Sequence, residues 1–422
     1  MSASNPTPLS VLDLSPVSEG SNVAAALHNT LDLARRAERF GYKRYWVAEH
    51  HFVAVASSSP AVLIGAIAAA TDMIRVGAAA VQLGHHTAIA VVEAFGTLDA
   101  LYPGRIDLGL GRSGQRRAEA LKAAASQGDE PAPRATEIRD GLVIPAPFPT
   151  AKLLTSSRLA SSLAVLQQPG ADAPNFAHQV EDIRALLDGN YKSADGTALQ
   201  ASPGEDADVE LWVFGSSAGP SADLAGRFGL PFGANYHVSP GTTVEAVEAY
   251  RAAFRPSRIL AEPYVVVSAD AVVADDDATA QELASTYGHW THSIRSGHGA
   301  IPYPDPTTTP PLTDTERELV DDRLITQFVG SPSTVAECLE TLRRVTGADE
   351  LVITSVTHKH DDRIRSYELL AREWGSSRRS SYPIEVVAET DPSPDRSRTG
   401  IPAGSCGTST VLAPVADTAS TE

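Results

Sequence analysis

Apolar residues follow two alternating rhythms along this chain. Short runs rich in β-branched and aromatic residues read as strands at Leu9 to Leu14, Tyr45 to Val47, Ile74 to Val81 and Ile106 to Leu110. Between them apolar positions recur every three or four residues, as in Leu27, Leu31, Ala34, Ala37 and Phe40, the mark of a helix packed on one face. Gly41 follows that run where a left-handed C-terminal cap belongs. Ser59-Pro60 reads as an N-cap with proline in the first turn of a helix over Ala61 to Ala70. Ala88 to Leu101 gives another helix before the Pro103-Gly104 break.

The rhythm resumes with strands at Glu210 to Phe214, Phe232 to Ala234, Tyr264 to Ser268 and Leu351 to Thr354. Helices are predicted over Ala222 to Phe228, Val244 to Phe254, Ala278 to Tyr287, Val335 to Val345 and Ile364 to Trp374. Such alternation predicts a parallel sheet with right-handed crossovers. The number of repeats points to a (β/α)₈ TIM barrel, an α/β fold, over residues 1–375; a doubly wound open sheet shares the pattern, because periodicity does not show closure. Three stretches break the rhythm. Gln115 to Pro174 has several prolines, no clear strand and more length than an ordinary loop, so it reads as an insertion after the fourth strand. Gly288 to Val329, with Gly-His-Gly and Pro-Tyr-Pro-Asp-Pro, reads as a mobile lid. Ser376 to Glu422 is rich in Ser, Thr, Pro and charge and reads as a disordered tail.

Composition narrows the partners. A net charge of −18 over 422 residues argues against nucleic acid and anionic membrane, though a local site can still oppose that field. Cys338 and Cys406 are too few for a disulfide framework. Met1 to Pro8 lacks a secretory pattern, and the longest apolar run, Ala61 to Ala70, is short of the roughly 18 residues of a membrane span, so a cytoplasmic protein is expected.

In a parallel barrel the C-terminal strand ends supply the active site. Those ends carry Glu49-His50-His51-Phe52, Gln82-Leu83 with His85 and His86, Gly109-Leu110-Gly111-Arg112, and Gly215-Ser216-Ser217. A Gly-Ser-Ser turn opening a helix offers N–H groups, hydroxyls and a favourable dipole to a phosphate, to which Arg112 could add a charge-assisted fork. Simple capping explains most such serines and is the favoured reading of the junction taken alone. A metal on His50, His51, Glu49, His85 and His86 is disfavoured, because adjacent strand residues point to opposite faces. Asp107, inside a strand, needs a buried partner from Arg105 or a neighbouring strand and reads as structural.

Five segments together resemble the bacterial luciferase family of flavin-dependent monooxygenases, in its alkanal-monooxygenase-like branch. They are Tyr45 to Phe52, Arg75 to Val81, Leu101 to Arg112, Trp212 to Ser217, and Val329 to Pro332 with its helix; Arg365 to Ala371 matches as well. The resemblance implies a barrel, often a homodimer, that holds reduced FMN at its C-terminal mouth and uses O₂. It makes His50 the catalytic residue, Ala79-Ala80 a non-prolyl cis peptide facing the flavin ring, and Arg112, Ser216, Ser217 and Ser221 the phosphate site. It also places His237 and His86 as possible mouth residues. Two departures stand out: Gly111 replaces a reactive cysteine, so luminescence is not implied, and the serine loop carries one extra residue. The function implied is an FMNH₂- and O₂-dependent monooxygenase acting on a small organic substrate. A separate flavin reductase would supply it, since the chain has no nicotinamide fingerprint. Two other readings stay open: a deazaflavin-dependent hydride-transfer oxidoreductase, and a non-catalytic flavin-binding protein.

Overall fold

A computed structural model of the chain describes residues 7–112, 134–149, 153, 156–167, 171 and 174–376. Its strands begin with β1 (Leu9–Asp13), β2 (Arg44–Val47), β3 (Arg75–Gln82) and β4 (Ile106–Gly111). A short antiparallel hairpin, β5 (Glu137–Arg139) and β6 (Leu142–Ile144), follows. Then come β7 (Glu210–Gly215), β8 (Phe232–Asn235), β9 (Val265–Val273), β10 (Phe328–Gly330) and β11 (Glu350–Thr354). Eight of these close a parallel barrel in the order β9-β11-β1-β2-β3-β4-β7-β8, with β8 pairing back onto β9. The open-sheet alternative therefore falls. β10 extends the far end of β9 through Phe328, Val329 and Gly330.

Local chemistry accounts for the elements. The helix Val23–Phe40 starts where Asn22 accepts from the Ala25 N–H at 3.0 Å, buries Ala26, Leu33, Ala34 and Ala37, and stops at Gly41 with φ 85°. Pro60 does open its helix, but the Ser59 side chain makes no capping bond there. Along β2 the side chains alternate: Tyr45 and Val47 join the apolar layer between strands and helices, while Trp46 joins the cluster inside the barrel.

One expectation is corrected, and the choice left open for Asp107 falls to the neighbouring strands. The stretch after the fourth strand does contain strands: Asp140-Gly141 is the turn of the β5–β6 hairpin, with φ positive at both residues, as such two-residue turns require. The same stretch carries the helix Ser157–Leu166. Asp107 does not pair with Arg105, whose guanidinium instead donates to the carbonyls of Ala68, Thr71 and Ile74. Its partners are Arg44 at 2.6 Å and Arg75 at 2.5 and 2.8 Å, on two neighbouring strands. Residues 288–329 form two helices, Tyr287–Arg295 and Asp314–Leu324, joined by a strap. Buried Tyr303 fixes that strap, its N–H donating to the Val17 carbonyl at 2.8 Å and its carbonyl accepting from Glu19 N–H at 2.9 Å. Arg323 and Tyr287 both bond Asp270 on β9. The final helix runs through Ser376, and the tail beyond it lies outside the described residues.

The barrel interior is layered. At the N-terminal strand ends Arg44 also meets Glu210 at 2.7 Å and Glu350 at 3.3 Å, while Lys43, Ser10 and Tyr264 complete the shell of Glu350. Burial opposes Arg44's charge, but Asp107, Glu350 and Glu210 hold the guanidinium firmly protonated. Above it lie Trp46, Trp212 and Phe214, with the guanidinium 4.8 Å from the Trp212 ring centroid. Glycines make room for these rings. A Cβ at Gly109 would sit 2.5 Å from Phe214, and one at Gly233 would sit 2.3 Å from its other edge.

Candidate functional site

Over Phe214 the barrel opens into a cavity of about 300 Å³. Its wall includes His50, Ala79, Ala80, Arg112, Ser216 and Ser221, so six of the seven residues named from sequence share one hollow. Ser217 is not part of the wall. The peptide between Ala79 and Ala80 is cis, as the resemblance implied. Asn235 and Ser268, which sequence reasoning passed over, also line the cavity, as does Gln82, read from the sequence only as a strand end. Asn235 ends β8 just as Gln82 ends β3, so the strand-end rule was signal enough to find it too.

Each chemical group is held from below. The His50 N–H donates to the Ser57 carbonyl at 2.9 Å, and Ser57 in turn donates through its hydroxyl to Ala48 at 2.5 Å. Solvent reaches His50 through the cavity although the ring is set deep among protein atoms. Burial holds its pKa below the usual histidine value, with Glu49 pulling the other way and His51 adding to the burial. That shift favours the neutral ring.

Glu49 beside it is committed elsewhere. Burial would raise its carboxyl, yet hydrogen bonds from His86 at 3.0 Å, Gln82 N–H at 2.8 Å and His51 at 2.9 Å outweigh that and lower it. The bond to Glu49 raises His86, which favours its protonated form. Thus His86 serves Glu49 and does not line the cavity, while His237 does. His237 Nδ1 lies 2.5 Å from the Ser268 hydroxyl. Burial, with Arg323 and His50 adding, pushes His237 down to about 3, so two neutral imidazoles face the same space. Among the described residues no three of His, Cys, Asp and Glu group to hold a metal ion.

The other side of the cavity is a donor cluster. Arg112 follows β4, and Ser216 follows β7 with its carbonyl tied down by the Thr242 hydroxyl. Ser221 sits in the first turn of the helix Pro220–Phe228, capped by Gly219, which brings no acceptor side chain. Guanidinium, two hydroxyls and a helix start form a set suited to a phosphate. Among the described residues Glu49 is the single carboxylate of the cavity wall, and three donors already engage it. Next to the donors the wall is only Ala79, Ala80 and Gly111, where a Cβ on Gly111 would come within 3.0 Å of Ala80 Cβ. A wall this flat suits a planar ring. The residues fit a flavin carrying a phosphate.

A profile of the luciferase-like monooxygenases matches residues 7–140 and 175–350, skipping part of the insertion. A luciferase-like monooxygenase of Escherichia coli (strain K12) is 32% identical over 362 residues, covering 85% of this chain and 95% of that relative. The crystal structure of apo-MsnO8 shares the fold with a TM-score of 0.68 at 31% identity, over 87% of this chain and 98% of that one. At 17% identity and a TM-score of 0.55, the fold also matches the oxygenating constituent of 3,6-diketocamphane monooxygenase from the CAM plasmid of Pseudomonas putida, solved with FMN. That match covers 88% of this chain and 98% of the other. Profile, relatives and a cavity built from the expected residues agree that the chain belongs to the luciferase-like monooxygenase family and is an enzyme of the flavin-dependent monooxygenase class.

Proposed function

We propose that the chain is an FMNH₂- and O₂-dependent monooxygenase that oxidises a small organic substrate and receives its reduced flavin from a separate reductase. One observation carries the reading: Arg112, Ser216 and Ser221 share a single cavity with the flat Ala79-Ala80 wall and the neutral His50. Arg112 and the two serines would bind the flavin phosphate, and Ala79, Ala80 and Gly111 would lie against the ring. The bound flavin supplies the activation of oxygen. His50 takes up and returns a proton at its imidazole beside the ring, a role its lowered pKa suits. Glu49, next to His50 in the chain, holds Gln82 and His86 in place.

The fold by itself does not choose the flavin, since an F420-dependent secondary alcohol dehydrogenase shares it at 15% identity. Anaerobic titration with FMNH₂ and with reduced deazaflavin, followed by admission of oxygen and a substrate screen read by product mass, tests the proposal. Saturable FMNH₂ binding with oxygen incorporated into product is the expected result. Binding of the deazaflavin alone would replace the reading with hydride transfer, and FMNH₂ binding without any oxygenated product would reduce the chain to a flavin carrier.

A further inference from the structure

A second hollow of about 280 Å³ adjoins the first and shares His50 and Gln82 with it. One wall is the helix Ser157–Leu166, within the stretch that breaks the β/α rhythm, which contributes Leu159, Leu163 and Leu166. Phe52 and Val53 beyond β2, and Ile294 from the helix Tyr287–Arg295, supply the apolar surface opposite. At one end of the helix Arg158 donates to the Phe52 carbonyl at 2.9 Å; just past the other, Gln167 donates to the Gly84 carbonyl at 3.4 Å. Ten residues of helix span about 15 Å, so the hollow is long enough for an extended small molecule.

Its charge is one-sided. Among the described residues no carboxylate lines it and Arg158 has no acidic partner. Gly299, with φ 80°, leaves the space in which that guanidinium lies: a Cβ there would come within 2.9 Å of Val53 and 3.2 Å of Arg158. In a chain of net charge −18, an arginine at the end of an apolar hollow, with no carboxylate beside it among the described residues, is a selector for anions.

We propose that this hollow is the substrate site and takes small organic acids. The acid group would rest on Arg158, the apolar body along Leu159, Leu163, Phe52 and Ile294, and the oxidisable end would pass His50 and Gln82 into the first cavity. The identity of the reaction rests on the monooxygenase reading above; the binding does not.

Calorimetric titration of the full chain with octanoate and with 1-octanol, without flavin, tests the site. Octanoate binds the unaltered chain roughly tenfold more tightly than 1-octanol if one charge-assisted hydrogen bond separates them. Arg158→Gln brings octanoate down to the level of 1-octanol, Arg158→Lys restores part of the difference, and Leu163→Glu weakens both ligands. Arg158 is exposed, so its variants keep the fold, which their melting temperatures verify. Equal affinity for the two ligands, or octanoate binding indifferent to Arg158→Gln, overturns the proposal. A parallel FMNH₂ titration separates the two readings. Arg158-dependent octanoate binding without FMNH₂ binding leaves the acid site standing and removes the FMN enzyme, and the opposite pair of results does the reverse.

Discussion

The two ends of the barrel use the same strands for opposite purposes. Where the strands begin, Arg44, Arg75 and Lys43 meet Asp107, Glu210 and Glu350 in a cluster whose charges balance. Where they end, His50, His237, Arg112 and two serines surround a cavity of about 300 Å³. β2 connects the two: it starts at Arg44 and leads straight into His50, about 20 Å away if the chain stays extended. A buried charge matched by its neighbours is architecture, and polar groups gathered around an open space are chemistry.

The largest effect that would sharpen this contrast comes from the closed end. Arg44→Met leaves Asp107 and Glu350 buried without their main counter-ion and should cost about 3–5 kcal/mol in denaturant unfolding, with flavin affinity of the folded protein retained. A loss under about 1 kcal/mol would show that the cluster is not what secures the barrel floor. At the open end, His50→Ala should slow turnover about a hundredfold and leave reduced-flavin affinity alone. If affinity falls and turnover per bound flavin holds, His50 is a binding group instead.

Arg112→Ala should weaken reduced-flavin binding about tenfold at an unchanged melting temperature. Unchanged affinity would take Arg112 out of the phosphate site. The smallest effect concerns acid stability. An unfolded chain protonates His237 near 6.5, while the folded chain holds it down to about 3. As pH falls through that window the unfolded state gains a proton the native state lacks, so stability drops. His237→Asn should therefore move the acid-unfolding midpoint to lower pH, and an identical midpoint would assign the acid limit to other groups.

All eight barrel strands were legible as apolar runs, because each buries both faces and announces itself locally. Closure was not, since the pairing of β8 with β9 joins segments that carry no mutual label in sequence. The helix Phe176–Leu187 had its signals, an Asn175 cap and apolar Phe176, Val180 and Ile183, but lay beside a stretch without rhythm. Asp140-Gly141 was an equally readable hairpin turn. Ser216, Ser221 and Arg112 came from family motifs, since the residue types alone fit capping as well as phosphate binding. Asp107 shows the limit: a strand carboxylate demands a partner, yet nothing in the chain says that Arg44, 63 positions away, supplies it.

Phe214, wedged between Gly109 and Gly233, has a consequence for how such a protein diversifies. Enlarging either glycine would lift the ring into the space above, and shrinking the ring would leave a void between strands that cannot close up. Depth is thus nearly fixed by the packing of this ring. New substrate preferences must arise sideways, through residues such as those on the helix Ser157–Leu166, which carries no strand pairing and so can change without disturbing the barrel.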